Sequence, residues 1–459
     1  VLQLGVTMDF AIFLYHSYMQ EKKVTKDINE AMSTAIGKTL LSVVGSSLTT
    51  IAGFLALCSM NLTLGKDIGI VMAKGVFLGV ICTVTVLPAM ILELNSLIEK
   101  TKHKTILPEF TGLKNFVLKY YKAFIVVFII ILPIAFYGYK NTKIYYNLDK
   151  SLPDSLESVS ANNELKEKFN MVSMELLLVD KDLPDYKVNN MLNEIEELDG
   201  IEWTAGYSKI ASSGIPKEIL PEDLVQIFQN DKYQMIIINS SYEMATDELN
   251  AQVEDVNDII KRYDKNAILA GEGPLMKDLV EISDHDFNSV NIASVGIIFV
   301  IMIFVLKSIS LPVILMFVIE FAIFINMGIP YYTNTVLPFI ASIVIGTIQL
   351  GATIDYAILI TNKYINARKN GKDRNESIDE AVGSSISSII VSGLCFFCAT
   401  FGVGICSKIE MIGSLCNLMS RGAIVSMVCV IMILPAFLKV FDKIVCKTTV
   451  GMNNKKREG

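Results

Sequence analysis

The sequence predicts a polytopic α-helical membrane protein with one α+β domain outside the membrane. Three observations predict it. Hydrophobic residues make up 52% of the 459-residue chain. They gather into nine segments of roughly the 20-residue length that a bilayer demands. A single long polar stretch, residues 140–288, interrupts them. The net charge of −7 is modest, and no segment is basic and aromatic enough to bind nucleic acid. Abundant Lys, Ile and Asn suggest an AT-rich genome, and a bacterial source is expected.

The expected spans are residues 1–18, 40–60, 68–92, 123–139, 290–306, 311–329, 337–362, 386–406 and 412–440. The first reads as the end of a helix already under way. With no signal peptide and Val1 in place of Met, a C-terminal fragment is expected. Lys and Arg fix an orientation, because cytoplasmic loops collect them. If the first segment runs inward, the inside receives Lys22, Lys23, Lys26 and Lys38, then the 100–122 loop, Lys307, the Lys363–Arg374 cluster and the tail with Lys455, Lys456 and Arg457. The short outside loops keep only Lys66 and Lys408. The polar stretch then lies outside. The predicted divisions are 1–139 (the end of a first membrane half plus the first helix of the second), 140–288 (the outside domain), 289–445 (the remaining second-half helices) and 446–459 (a cytoplasmic tail).

In the outside domain, strands are expected at 174–179, 201–205, 233–239 and 267–271, and helices at 186–198, 223–228, 245–263 and 275–285. Two β-α-β units of this kind fit a small α+β sandwich. Gly271-Glu-Gly-Pro274 marks a turn rather than a phosphate loop, since no P-loop Lys follows. No disulfide framework is expected, because all eight cysteines lie in or beside apolar segments. Cys395-x-x-Cys398 reads as buried small hydrophobes rather than a metal or redox pair. The histidines His16, His103 and His285 read as surface or interfacial residues, and no nucleophile–base set or metal cluster suggests an enzyme. No cofactor is expected.

The chain repeats itself. Gly5-Val-Thr-Met-Asp9-Phe-Ala-Ile is answered by Gly351-Ala-Thr-Ile-Asp355-Tyr-Ala-Ile, and Met72-Ala-Lys-Gly75 … Val86-Leu-Pro-Ala89 by Met419-Ser-Arg-Gly422 … Ile433-Leu-Pro-Ala436. Between them stand polar linkers, expected to be helical, with Asn29-Glu-Ala31 and Asp379-Glu-Ala381. The order and direction are the same, so the repeat is parallel. By this symmetry about three helices and one outside domain are expected before Val1.

Each acid motif places one carboxyl in an apolar run. An ionised side chain at bilayer depth costs about 3 kcal/mol on insertion scales, so such residues mark ion pathways by default. In a low-dielectric site a carboxyl can load and release protons near neutrality. Asp9 and Asp355 are therefore the candidate relay, expected to meet at the seam between the halves. The plainer reading is that each acid locks two helices through a polar neighbour. Gly5 and Gly351, one turn before each acid, allow close helix approach. His16 and Asn362, seven residues after each acid, are read as snorkelling groups or an inner exit. Thr49, Thr50 and Ser392 are candidate partners of the acids, or ordinary packing groups. Glu320 is a third intramembrane acid, left between the pathway and an unseen partner.

These residues resemble the resistance–nodulation–division (RND) superfamily, and within it the MMPL-type exporters. The motif carried by that family's fourth and tenth helices is Gly-x-x-x-Asp-Tyr. Asp355-Tyr356 fits it, and Asp9-Phe10 departs at Phe10. Leu152-Pro153-Asp154 followed by Phe169, Gly273-Pro274 and both Leu-Pro-Ala segments agree with the pattern. The resemblance implies an RND-type bundle, about nine helices present of an expected twelve, with an extracytoplasmic porter domain. It implies export of lipids or amphiphilic compounds driven by proton influx, with a lipid or hydrophobic substrate, protons and membrane lipids as partners and the oligomeric state open. In relatives the Asp of one half bonds the Tyr of the other. Asp9 would then pair with Tyr356, while Asp355 would face Phe10 and be the less well satisfied carboxyl. A protein-translocation auxiliary of the SecDF type and a sterol-sensing, Patched-like protein are the alternatives.

Overall fold

The structure, a computed structural model, describes residues 2–25, 27–101, 110–146, 155–212 and 222–452. Lys26, His103, Leu152-Pro153-Asp154, and Lys455, Lys456 and Arg457 lie outside the described residues. The chain forms two units, one of Val1–Ile144 with His285–Gly459 and one of Tyr145–Asp284.

The helical unit begins with α1 (Leu2–Glu21), α2 (Ile28–Ala56), α3 (Thr63–Val84), α4 (Val86–Glu93), α5 (Asn95–Lys100), α6 (Thr111–Lys119) and α7 (Tyr121–Lys140). β1 (Ile144–Tyr145) stands at the boundary, and the second unit carries α8 (Glu157–Phe169), β2 (Ser173–Asp180), α9 (Asp185–Glu196), β3 (Ile201–Gly206), α10 (Tyr207–Ser212), α11 (Glu222–Phe228), β4 (Tyr233–Ser240), α12 (Asp247–Tyr263) and β5 (Ile268–Gly271). Then follow α13 (Glu272–Leu306), α14 (Ser310–Tyr332), β6 (Leu337–Pro338), α15 (Phe339–Lys369), α16 (Arg374–Cys406), α17 (Glu410–Met432), α18 (Leu434–Val440) and α19 (Asp442–Thr448).

Eight stretches among the described residues are long and apolar enough to cross a membrane. This corrects the expected nine. The difference is α1, a 20-residue helix whose Gln3, Asp9 and His16 dilute its apolar character. It is nonetheless packed against α2, α3 and α16. The linkers are a second difference. Asn29-Glu-Ala31 and Asp379-Glu-Ala381 do not form separate segments but lie in the first two turns of α2 and α16, helices of 29 and 33 residues. Asp27 caps α2 by accepting from the Asn29 N–H, and Asp373 with Glu376 forms a capping box on α16. Likewise the expected helix at 275–285 and span at 290–306 are one 35-residue helix, α13. The spans at 68–92 and 412–440 are each broken, at Thr85 and at Ile433. Each break stands just ahead of a Leu-Pro-Ala segment, whose Pro has no N–H for the helical ladder.

In the second unit the strand order is β3-β4-β2-β5 with every neighbouring pair antiparallel. Helix α9 links β2 to β3 across the intervening β4, and α12 links β4 to β5 across β2. The result is two interlocked split β-α-β units, a ferredoxin-like plait. On β2 the residues Ser173, Glu175, Leu177 and Val179 face inward. The last two pack with Val188, Met191 and Ile195 of α9 and Val256 and Ile260 of α12. Helix α12 shows its 3.6-residue period in the buried set Leu249, Val253, Val256 and Ile260.

The C-terminal ends of α1 and α15 are held in matching ways. Tyr18 is buried against Ala31, Met32 and Ala35 of α2 and Ile91 of α4. Its hydroxyl donates to Asn95 Oδ1 at 3.4 Å, and Lys22 Nζ reaches Asn95 and Glu99 at 2.7 and 2.6 Å. In the second half Tyr364 donates to Asp442, and Arg368 pairs with the same carboxylate through Nε at 3.0 Å. The two halves thus repeat a Tyr-x-x-x-cation pair clasping the short helix that follows each Leu-Pro-Ala break.

Candidate functional site

Asp9 on α1 and Asp355 on α15 line one cavity of about 50 Å³, together with Phe10, Tyr356, Ser46 and Ser392. On the water-sized measure this is room for a few molecules. Two close contacts build the site. Helix α1 packs on α16 and α15 on α2. A Cβ on Gly5 would lie 2.6 Å from Cδ2 of Phe396, so only glycine admits that ring. A Cβ on Gly351 would meet Thr50 at 3.6 Å, an ordinary contact.

The two carboxyls are served differently. Ser392 donates its hydroxyl to Asp9, and its oxygen lies 3.4 Å from that of Tyr356. The Tyr356 hydroxyl stands near the Asp9 carboxyl, as those of Ser46 and Thr50 stand near Asp355. Neither oxygen of Asp355 has a hydrogen-bond partner, although both are buried. The nearest hydroxyls are those of Ser46 and Thr50. Thr50 is already spent on the carbonyls of Ser46 and Gly351, at 3.1 and 3.4 Å. Thr49 likewise donates to the Ser46 carbonyl, at 2.6 Å, and makes no bond to either acid. Phe10, in the position that Tyr356 holds in the other half, is 3% exposed and has no hydroxyl to offer. Two like charges in one low-dielectric site repel, so the cavity favours a single charge shared between two carboxyls. The geometry assigns the better-supported charge to Asp9, through charge-assisted bonds.

Four neighbours, Ser42, Ser46, Ser384 and Ser388, escaped the sequence reading. With Thr50 on α2 and Ser392 on α16 they recur at every fourth residue, which places each set on one helix face. Ser42, Ser46, Ser388 and Ser392 line the cavity itself. The acid motif is also longer than first read, since Gln3-Leu4 and Gln349-Leu350 precede its two copies. Gln349 accepts from Asn326 at 2.8 Å and donates to Ser426 at 3.0 Å, while Thr353 donates to Ser426 at 2.8 Å. Arg421 donates to Asn326 through Nε at 2.8 Å. This buried network fixes α15 against α14 and α17 one turn from Asp355. In the first half Gln3 donates to the Gly75 carbonyl at 3.2 Å.

The family resemblance can now be set against a comparison of sequences. The profile of the MMPL family matches residues 1–106 and 224–457. The chain belongs to the MMPL family. Among its relatives, the Methanocaldococcus jannaschii protein MJ1562 is 36% identical over 90 residues, 20% of this chain and 23% of that protein. The Streptomyces coelicolor protein ActII-3 is 34% identical over 91 residues, 20% of this chain and 13% of that protein. The matched stretches thus span less than a quarter of either relative. This MMPL protein is a multi-pass membrane protein in which both copies of the acid motif lie within the family match.

The other singled-out residues fall elsewhere. Glu320 on α14 lines a separate, larger cavity with α7 and α13. His16 opens onto a polar cavity of about 450 Å³ with Lys114 and Asp379, which are ion-paired at 2.9 Å. Its counterpart Asn362 donates to Ser42 at 3.3 Å. His285 precedes Asp286, whose carboxylate accepts from the backbone N–H groups of Asn61 and Leu62 at 2.9 and 3.1 Å and so holds the start of α3. Cys395 and Cys398 are both free thiols on α16.

Proposed function

We propose that this protein is an RND-type transporter that uses proton influx to export lipids or other amphiphilic compounds across the cytoplasmic membrane. Asp9, Asp355 and Tyr356 form its proton relay. One observation carries the reading: two acids from the two copies of a repeat converge on one small cavity, one hydrogen-bonded and one not. A proton moving to Asp355 relieves the unpartnered charge. A proton leaving Asp9 keeps a carboxylate that Ser392 and Tyr356 already serve. The exchange changes what each pair of helices, α1 with α16 and α15 with α2, gains by packing. Each unit charge carried through the membrane potential supplies about 2.3 kcal/mol per 100 mV.

In this reading the Tyr145–Asp284 unit is the extracytoplasmic porter domain and the C-terminus is cytoplasmic. The placement of Lys and Arg in the short loops supports that orientation. The test is proton-coupled export by cells or proteoliposomes carrying the Asp355→Asn protein. Loss of export with normal membrane insertion is expected, and wild-type export by that variant overturns the relay.

A further inference from the structure

Glu320 stands outside the relay, in the wall of a cavity of about 820 Å³ bounded by α7, α13 and α14. This volume lies within the range of drug-sized ligand sites. The lining is mainly apolar and aromatic, with Phe136, Phe317 and Phe324 among its residues. The polar groups that share it are Tyr139, Asn288 and Asn291. Glu320 Oε1 is buried without a hydrogen-bond partner. No lysine or arginine among the described residues forms an ion pair with it. An acid at bilayer depth is costly unless something answers it, and Oε1 has no hydrogen-bond donor among the described residues.

Phe317 and Ile292, both on the cavity wall, are 58% and 75% exposed on the apolar surface of the helical unit. The cavity can therefore be entered sideways, by a molecule already dissolved in the bilayer. Aromatic faces beside a carboxylate suit a cation twice over, through the ring quadrupoles and through the charge. The remaining apolar wall suits a hydrocarbon tail.

We propose that this cavity binds amphiphiles carrying a protonated amine, with Glu320 as the counter-charge and the Phe136–Phe317–Phe324 wall taking the chain. The proposal names the substrate class of the exporter and rests on that reading only for the step after binding. The discriminating contact is the carboxylate, so a neutral analogue with the same tail forfeits it while keeping its apolar contacts.

The test is a fluorescence titration of the full chain in lipid nanodiscs, with empty nanodiscs subtracted. The probe is a twelve-carbon chain with a dansyl group at one end and a primary amine at the other. The comparison probe is the same molecule acetylated on the amine. The wild type is expected to bind the amine at least tenfold more tightly than the acetamide, Glu320→Gln to erase that preference, and Glu320→Asp to keep part of it. Val313→Trp, which fills the cavity, should weaken both probes. Equal binding of the two probes by the wild type, a preference that survives Glu320→Gln, or full amine binding by Val313→Trp overturns the proposal. Asp355→Asn leaves this cavity untouched and should bind as the wild type does. A failure of the export reading would therefore appear in transport alone, and a failure of the amine site in binding alone.

Discussion

Ser392 on α16 donates its hydroxyl to the carboxylate of Asp9 on α1, across 383 positions of sequence. At Asp355 the hydroxyls of Ser46 and Thr50 stand near the carboxyl, but neither of its oxygens closes a hydrogen bond among the described residues. The two acids are copies of one motif, yet the fold has supplied a donor to one and withheld it from the other. The sequence difference nearest to this is one atom, the oxygen that Tyr356 has and Phe10 lacks. An unsatisfied buried polar group costs about 1–3 kcal/mol, so the cavity is built with a preference for where its charge resides.

That preference should yield to a single substitution. Phe10→Tyr places a hydroxyl in a cavity that Asp355 also lines, and is expected to raise thermal stability by about 1 kcal/mol, the net worth of one hydrogen bond. The gain should vanish in the Phe10→Tyr, Asp355→Asn double variant if it comes from that pair. Equal gains in both backgrounds would place the new hydroxyl elsewhere.

Another buried acid lies in the plait. Glu175 on β2 has no exposed surface, and neither of its oxygens finds a partner. Burial pushes its carboxyl from an ordinary 4.5 up to about 7. The folded unit therefore holds a proton that the unfolded chain has lost, and unfolding releases it. Stability is full below pH 4.5 and falls as pH rises toward and through 7, by roughly 3 kcal/mol if the whole shift is expressed. Glu175→Gln removes the penalty. At pH 8 its β2 amides should exchange more slowly than those of the wild type, and at pH 4.5 the two should match. Faster exchange in the variant at pH 8 would show that the charged form is the favoured one.

How much of this was legible in the sequence depends on the range of the interaction. The spans, the repeat and the four strands of the plait are local patterns of period 3.6 or 2, and they stand in the sequence within a few residues. Element ends were less legible. Asn29-Glu-Ala31 reads as a helical linker apart from the span because it is polar, yet it is continuous with the span in α2, with Ala31 packed under Tyr18. The site was visible through its acids, whose cost in an apolar run is itself a signal. Ser392, Tyr356 and Thr50 were legible as hydroxyls near the acids, while Ser42, Ser46 and Ser388 were not, because serine is common in membrane helices and only its four-residue spacing marks them. The strand order of the plait could not be read at all, since antiparallel insertion of β4 between β2 and β3 leaves no local trace.

The clasp at the end of α15 should be worth more than its counterpart on α1. Asp442 is 7% exposed and takes both a tyrosine hydroxyl and a guanidinium. Asp442→Ala removes the charge partner of Arg368, which keeps the Lys372 carbonyl and the Cys446 thiol, and leaves the buried hydroxyl of Tyr364 without its acceptor, so a loss of about 2–3 kcal/mol is expected. Asn95→Ala removes a neutral acceptor and leaves Lys22 its bond to Glu99, so a loss of about 1 kcal/mol is expected. Thermal unfolding in detergent should rank the two in that order. Equal losses would mean that the buried charge pair contributes no more than the neutral one.

The helices that bound the Glu320 cavity give a contrast between two glycines. Helices α7 and α14 cross with their backbones nearly touching. A Cβ on Gly328 would lie 2.7 Å from the Ala135 carbonyl oxygen and 3.1 Å from the Tyr139 nitrogen. These are backbone atoms of α7, so they cannot swing aside as a side chain would. Gly328→Ala must push the helices apart, and a loss of about 1–3 kcal/mol is expected. Because α7 supplies Tyr139 and Phe136 to the cavity while α14 supplies Glu320, the same displacement should also weaken amine binding. Gly296 on α13 has no neighbour within 4 Å. There Gly296→Ala adds helix propensity without a clash, a gain of up to about 1 kcal/mol. Thermal unfolding and probe titration of the two variants decide the matter. If Gly328→Ala is as well tolerated as Gly296→Ala in both measurements, the close crossing of α7 and α14 does not set the width of the site.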